Sequence, residues 1–285
     1  MTAPALLLAA LQPAHASWPE DVDLNSMPEQ DGEPVLDTAV LSESYRQLVK
    51  ELGTLVSNKS STPAATLGWS GFDVDLGMQF VLTEARDRGG EPSPWERAHA
   101  TEDSAIYHAV PTFSVRKGLP LSTEIGGSWG WIAASRTGLF GGYARVAILD
   151  NYKPAPDLAL KVGYSGYVGN DQIDCSALDY GVTIGSSWPV GRSERVNSGR
   201  VSPWASFTML SVRANPTVDE EIETEIGAVR FSRTGGDDET RQPPIGVPTF
   251  GVGTEFLSGN VHLRLGASWA PATIPTLTSS VGFTY

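Results

Sequence analysis

The chain has 285 residues, with 33 acidic against 20 basic side chains and a formal net charge of −13. Binding nucleic acid needs a surplus of Lys and Arg against phosphate, so that partner class is excluded. The single cysteine, Cys175, excludes an intramolecular disulfide and a cysteine-rich metal site, and it reads as a small packing residue near the start of a strand.

Ala5 to Leu11 is a short apolar run, followed by Ala14-His15-Ala16 in the small-x-small form of a signal-peptidase site. Residues 1–16 therefore read as a signal peptide without the usual positive stretch, and cleavage leaves Ser17 first. Residues 17–36 are acidic and Pro-containing and are expected to be disordered. The period then changes. Val40, Leu41, Tyr45, Leu48, Val49, Leu52, Leu55 and Val56 recur at three- and four-residue spacing, which predicts a helix. Asp37 or Ser42 is placed to cap it, and Gly53 weakens its last turn. With its linker the segment covers 37–61. It precedes the β-rich remainder of the chain, and it either plugs the interior of that sheet, packs at one rim of it, or lies outside as a surface helix.

From residue 72 the period is two. Phe72, Val74, Leu76, Met78, Phe80 and Leu82 alternate with Asp73, Asp75, Gly77, Gln79, Val81 and Thr83. Further strands are predicted at about 104–115, 121–135, 138–149, 157–168, 174–187, 200–213, 246–257, 260–270 and 275–285, ten in all. No apolar run reaches the ~20 residues of a transmembrane helix. Strands that turn only alternate residues to lipid need no such run and leave the mean hydropathy slightly negative. Residues 84–103 and 213–241 hold 21 of the 53 charged side chains, as charge-rich loops joined by charge-poor strands would. Both fall on one end of a ten-stranded meander. An ordered part of 220–232 would extend its neighbours or add a hairpin, giving twelve. Trp69, Phe72, Tyr107, Trp129, Trp131, Tyr143, Tyr164, Tyr167, Tyr180, Trp188, Trp204, Trp269 and Tyr285 lie toward strand ends, where interfacial girdles belong. The fold class read from residues 62–285 is all-β, a transmembrane antiparallel up-and-down β-barrel.

With the apolar face outward, the titratable residues turned inward are Asp73, Asp75, His108, Glu124, Arg145, Lys161, Asp179, Glu255, His262 and Arg264. Charges of both signs facing one interior suit a wet lumen or a paired plug and would ruin a soluble sandwich core. A two-residue turn at Ser258-Gly259 would set Glu255 opposite His262. No cofactor or metal is expected: the Gly-Gly pairs at 89–90, 126–127, 141–142 and 235–236 fall in strands or turns, and no metal-ligand spacing occurs. Catalysis would have to use His99 in its loop with Ser104 and Glu102, and no hydrolase motif surrounds it.

The chain ends PTLTSSVGFTY. Leu277, Ser279, Val281, Phe283 and Tyr285 share one face. Alternation closing on a terminal aromatic resembles the assembly signal of Gram-negative outer-membrane β-barrel proteins. That resemblance implies outer-membrane location, contact with outer-membrane lipid, and recognition by the barrel-assembly machinery through the strand ending in Tyr285. The function expected is a narrow channel or a transporter of small solutes or hydrophobic ligands, without catalysis. The alternatives are a structural or adhesive barrel acting through acidic outer loops, and an outer-leaflet lipid hydrolase.

Overall fold

The computed structural model describes residues 21–24, 27, 29–30, 33–34, 38–59, 61–82, 93–98, 107–133, 135–150, 155–191, 199–216, 221–224, 227–230, 244–271 and 275–285. The signal peptide, His99 and most of the two charged loops lie outside the described residues.

Ten strands form one sheet: β1 Phe72–Leu82, β2 Tyr107–Leu119, β3 Thr123–Trp131, β4 Gly138–Leu149, β5 Asp157–Val168, β6 Ile173–Gly185, β7 Gly199–Pro216, β8 Ile245–Ser258, β9 Val261–Trp269 and β10 Thr276–Thr284. Each pairs antiparallel with the next. The sheet then closes on itself, β10 against β1, from Thr276 opposite Val81 to Thr284 opposite Asp73. Tyr285 completes the seam: its amide donates to the Phe72 carbonyl at 2.7 Å, and the Phe72 amide donates back at 2.8 Å. Closure leaves no strand edge to be desolvated in lipid. A short strand, Trp188–Val190, adds to the start of β7. The described part of the acidic segment is a separate hairpin, Glu221–Thr224 with Gly227–Arg230, so the barrel keeps ten strands.

The faces are inverted relative to a soluble protein. Leu76 is 64% exposed, whereas Asp75 beside it is 4% exposed. Leu160, Val162, Leu263, Leu265, Leu277 and Val281 are likewise exposed. Such an apolar outer band is stable only against lipid, at the spacing a membrane strand requires. Aromatics gather at both rims. Trp69, Phe72, Trp188, Phe283 and Tyr285 lie at one end, and Tyr107, Trp129, Trp131 and Trp269 at the other. Tyr143, Tyr167 and Trp204 are not in the girdles. They share the inward parity of Arg145, Lys161 and Thr208 and turn into the lumen.

The rim carrying Phe72 and Tyr285 has the connections 120–122, 150–156, 186–198 and 259–260; the opposite rim has 83–106, 132–137, 169–172, 217–244 and 270–275. Short turns face the periplasm and long loops the exterior.

Helix α1, Thr38–Val56, lies inside the barrel. Leu48, Val49, Leu52 and Leu55 are fully buried with Leu210, Val212, Ala177 and Val247 of the wall. Gly53 does more than weaken a turn. A Cβ there would lie 2.3 Å from Val212 Cγ2, so its lack of a side chain lets the helix reach the wall. At the other end Lys59 Nζ caps the helix, donating to the Thr54 and Leu55 carbonyls at 2.8 and 3.0 Å. The disorder expected over 17–36 does not extend to Val22, Leu24 and Met27. They are buried in the same apolar cluster, because apolar surface under the mouth is available to cover them. A second helix, α2 Pro94–Arg97, folds in from the first outer loop, and its Trp95 is 1% exposed.

Candidate functional site

The lumen has three tiers. At the periplasmic end, side chains from six strands form a continuous ionic network. Arg264 on β9 is its hub. Its Nη1 lies 2.6 Å from both oxygens of Asp75, its Nη2 2.9 Å from Asp73, and its Nε 2.7 Å from Glu255. Arg116 on β2 continues the chain, with Nη2 2.9 Å from Asp73 and Nη1 3.6 Å from Glu124. Arg145 on β4 closes on Glu124 at 3.0 Å to both oxygens, and the Tyr143 hydroxyl donates to Glu124 at 2.9 Å. All four carboxylates are at most 5% exposed. Buried charges hold only when paired and hydrogen-bonded, and here every carboxylate meets a guanidinium.

His262 sits at the edge of this network. Its Nε2 is 2.5 Å from Asp75 Oδ1, and its Nδ1 is 3.0 Å from Thr284 Oγ1. A hydroxyl, an imidazole and a carboxylate in line suggest nucleophilic chemistry, but the bonding of the hydroxyl and the burial of the ring oppose it. Thr284 Oγ1 donates its one proton to Asp73 at 2.6 Å. With that hydroxyl committed to Asp73 and His262 only 1% exposed, the row offers no free nucleophile open to a substrate. Asp73, Asp75 and His262 also bring metal-ligating atoms within 4.8 Å of one another. Arg264 donates to both carboxylates, so a guanidinium holds the place a cation would take.

The middle tier is a ring of small residues around the wall. Gly77 pairs with Thr112, Ser114 with Ser128, and Ser128 with Gly141. Gly141 pairs with Ser165, and Gly181 with Thr208. Ser206 pairs with Gly251, Gly251 with Ser268, and Gly266 with Thr278. Ser280 pairs with Gly77 to close the ring. The segment after α1 fills the space these short side chains leave. Lys161 Nζ donates to the Asn58 carbonyl and pairs with Asp179 at 3.0 Å. Arg145 reaches across to Thr62 Oγ1 at 2.9 Å and to the Pro63 carbonyl at 2.6 Å. A cavity of about 80 Å³ remains beside this segment, between Arg116, Arg264, Gln79 and Ser128. The outer tier is the apolar vestibule filled by α1. There His108 lies against Trp95, ring centroids 4.8 Å apart, and the Trp95 indole donates to Glu51 at 2.5 Å.

All ten inward residues named from the sequence are buried, none more than 7% exposed. Asp73, Asp75, Glu124, Arg145, Glu255, His262 and Arg264 converge at the periplasmic end. Lys161 and Asp179 pair at mid-height, and His108 stands apart near the mouth. Arg116 is not among the residues named from the sequence: the strand expected at 104–115 stops one residue short of it, although the parity of His108 points residue 116 inward and the strand runs to Leu119. The expected Glu255–His262 pair is corrected to Glu255–Arg264, with Leu257 opposite His262. The turn residues are Gly259 and Asn260. Gly259 takes the first position at φ 60°, a conformation Ser258 would have had to adopt in the other register.

No known family profile matches this chain, and no curated protein is similar to it. Solved structures are similar in fold at low identity. The N-terminal β-barrel domain of Pseudomonas aeruginosa OprF is 9% identical, covering 76% of this chain and 99% of that one, with a TM-score of 0.29. Acinetobacter baumannii Omp33 is 10% identical, covering 76% and 98%, at 0.29. The transport unit of the autotransporter AIDA-I from Escherichia coli is 9% identical, covering 86% and 98%, at 0.37. Closed ten-stranded sheet, apolar outer band, aromatic rims and charged interior together make this chain a membrane-spanning antiparallel β-barrel, the fold class of outer-membrane proteins.

Proposed function

We propose that the protein is a narrow, non-catalytic channel for ions and small polar solutes, closed in this conformation by its own N-terminal segment. The observation that carries this reading is the mid-height ring of Gly, Ser and Thr. A barrel meant to be solid fills its interior with wall side chains. Here the wall at mid-height is short and hydroxyl-lined, and a separate piece of chain, residues 57–66, occupies the space. Withdrawal of that piece leaves a wettable bore lined by charges of both signs. Ten strands keep the bore well below that of the large porins.

The decisive measurement is conductance in planar bilayers, comparing the intact chain with a variant lacking residues 21–66. The intact chain is expected to be almost silent and the variant to show steady unit currents with weak ion selectivity. A variant that still runs as a heat-modifiable closed barrel but passes no current would end the channel reading.

A second reading rests on the outer tier. Ile173, Leu210, Val212, Ile245 and Val247 form an apolar vestibule beneath α1, suited to a hydrophobic ligand if the helix leaves. The absence of catalysis is supported by the burial of His262, which is 1% exposed and out of reach of a substrate. An adhesive role would rest on outer-loop residues mostly outside those described.

A further inference from the structure

The path of the chain before β1 has a topological consequence. β1 starts at Phe72 on the periplasmic rim, beside Tyr285. Going backwards from it, Thr66 Oγ1 donates to Asp150 Oδ2 at 2.7 Å, still at that rim. Arg145 then holds residues 62–65, and Lys161 holds Asn58 at mid-height. Helix α1 continues outward, and Glu51 meets α2 of the first outer loop. Asp21 lies among the outer connections: it accepts from Ser135 Oγ at 2.6 Å and from the Arg136 amide at 3.0 Å. The Asn170 side-chain amide donates to the Val22 carbonyl at 2.9 Å, and the Leu24 amide donates to Gln172 at 2.5 Å. The Asp23 amide donates to the Ala98 carbonyl at 2.6 Å. These bonds tie residues 21–24 to the exterior rim, and those of residues 62–66 tie them to the periplasmic half.

We propose that the barrel carries its own N-terminal segment through the lumen and presents whatever polypeptide precedes Asp21 on the outer surface of the cell. The chain makes an eleventh crossing inside the bore, and its two ends face opposite sides of the membrane. The outer half of the bore is filled by α1, whose Leu48, Val49, Leu52 and Leu55 are fully buried against the wall. The contacts of Asp21, Asp23 and Leu24 fix the exit point, so a binding segment placed ahead of them projects from a defined spot. This topology depends on the path of the chain alone and is independent of whether the bore ever opens.

The test uses the full-length protein in its native outer membrane. One epitope is inserted directly ahead of Asp21 and, in a separate variant, another between Gly259 and Asn260 in a periplasmic turn. Antibody on intact cells is expected to reach the first epitope as fully as after permeabilisation, and the second only after permeabilisation. An N-terminal epitope that needs permeabilisation overturns the proposal. The unaltered chain gives a second readout that no insertion can disturb. A membrane-impermeant amine reagent on intact cells should modify the N-terminal α-amino group, found by mass spectrometry of the N-terminal peptide. An unmodified α-amino group on intact cells that becomes modified after permeabilisation equally overturns it.

Discussion

The outer and inner halves of the lumen are held by opposite physics on one continuous wall. Outside, α1 packs leucines and valines against an apolar vestibule. The contact is broad and non-directional, and no single pair defines it. Inside, four buried carboxylates are met by three guanidiniums and His262 through short, directed bonds. A close-packed apolar contact degrades by degrees as atoms are removed, whereas an ionic network fails sharply when one member is lost and its partner is left charged and unpaired. The outer seal is therefore suited to release and the inner network to holding strands in register.

Breaking the hub of the inner network should have the largest effect. Arg264→Met leaves Asp75 and Glu255 buried without their closest guanidinium contacts, at a cost of about 3–5 kcal/mol to the barrel. The loss is read as a lower urea midpoint in detergent and a weaker heat-modifiable band. Arg264→Lys should rescue little, because an ammonium cannot span three carboxylates as the planar fork does. Recovery of wild-type stability in Arg264→Lys would show that only net charge matters here.

The outer seal should yield more gently and without loss of the barrel. Gly53→Val places side-chain atoms where Val212 already lies, an overpacking of about 1–3 kcal/mol. The expected outcome is an unchanged urea midpoint for the barrel with more frequent channel openings. Combining it with Val212→Ala removes the obstructing methyls and should restore closure. A Gly53→Val chain that stays as silent as the parent would mean that α1 does not set the closed state.

The two halves also differ in how far they could be read from sequence. The inner network was legible because β1 and β9 alternate cleanly, so Asp73, Asp75 and Arg264 fall on one parity. Strand ends and turns are the less legible parts: Arg116 lies just past the expected end of its strand, and the turn sits at Gly259-Asn260 rather than Ser258-Gly259, which moves Glu255 opposite Arg264. The outer half was illegible because its pattern reverses. At the far end of β7, Leu210, Val212 and Ala214 point inward while Arg213 is exposed. There the wall rises beyond the lipid and packs on α1, so the apolar face turns inward and the outward-in rule no longer applies. The stripe Leu48, Val49, Leu52 and Leu55 predicts a helix but looks the same against a lumen wall as against any apolar surface. The middle ring gave no signal by itself, since Gly, Ser and Thr on polar parity suit a solid or an open barrel equally until the pairing register joins them.

The smallest expected effect is at the mouth, and it separates anchoring from sealing. Asp21 joins the N-terminal segment to the 135–136 corner through Ser135 Oγ, the Arg136 amide and Arg136 Nε at 3.2 Å. Arg136 is itself 42% exposed in its side chain, so water already competes for the ion pair. Asp21→Asn keeps the shape and removes the charge, for a loss of about 1 kcal/mol or less. Barrel stability and conductance should not change, since neither α1 nor the network is touched. What should change is local: residues 21–24 are expected to exchange amide hydrogens several-fold faster, because the segment loses one of the ties that hold it to the exterior rim. If Asp21→Asn instead opened the channel, the mouth contacts would belong to the gate, and the division between a releasable outer seal and a fixed inner network would have to be redrawn at the exterior rim.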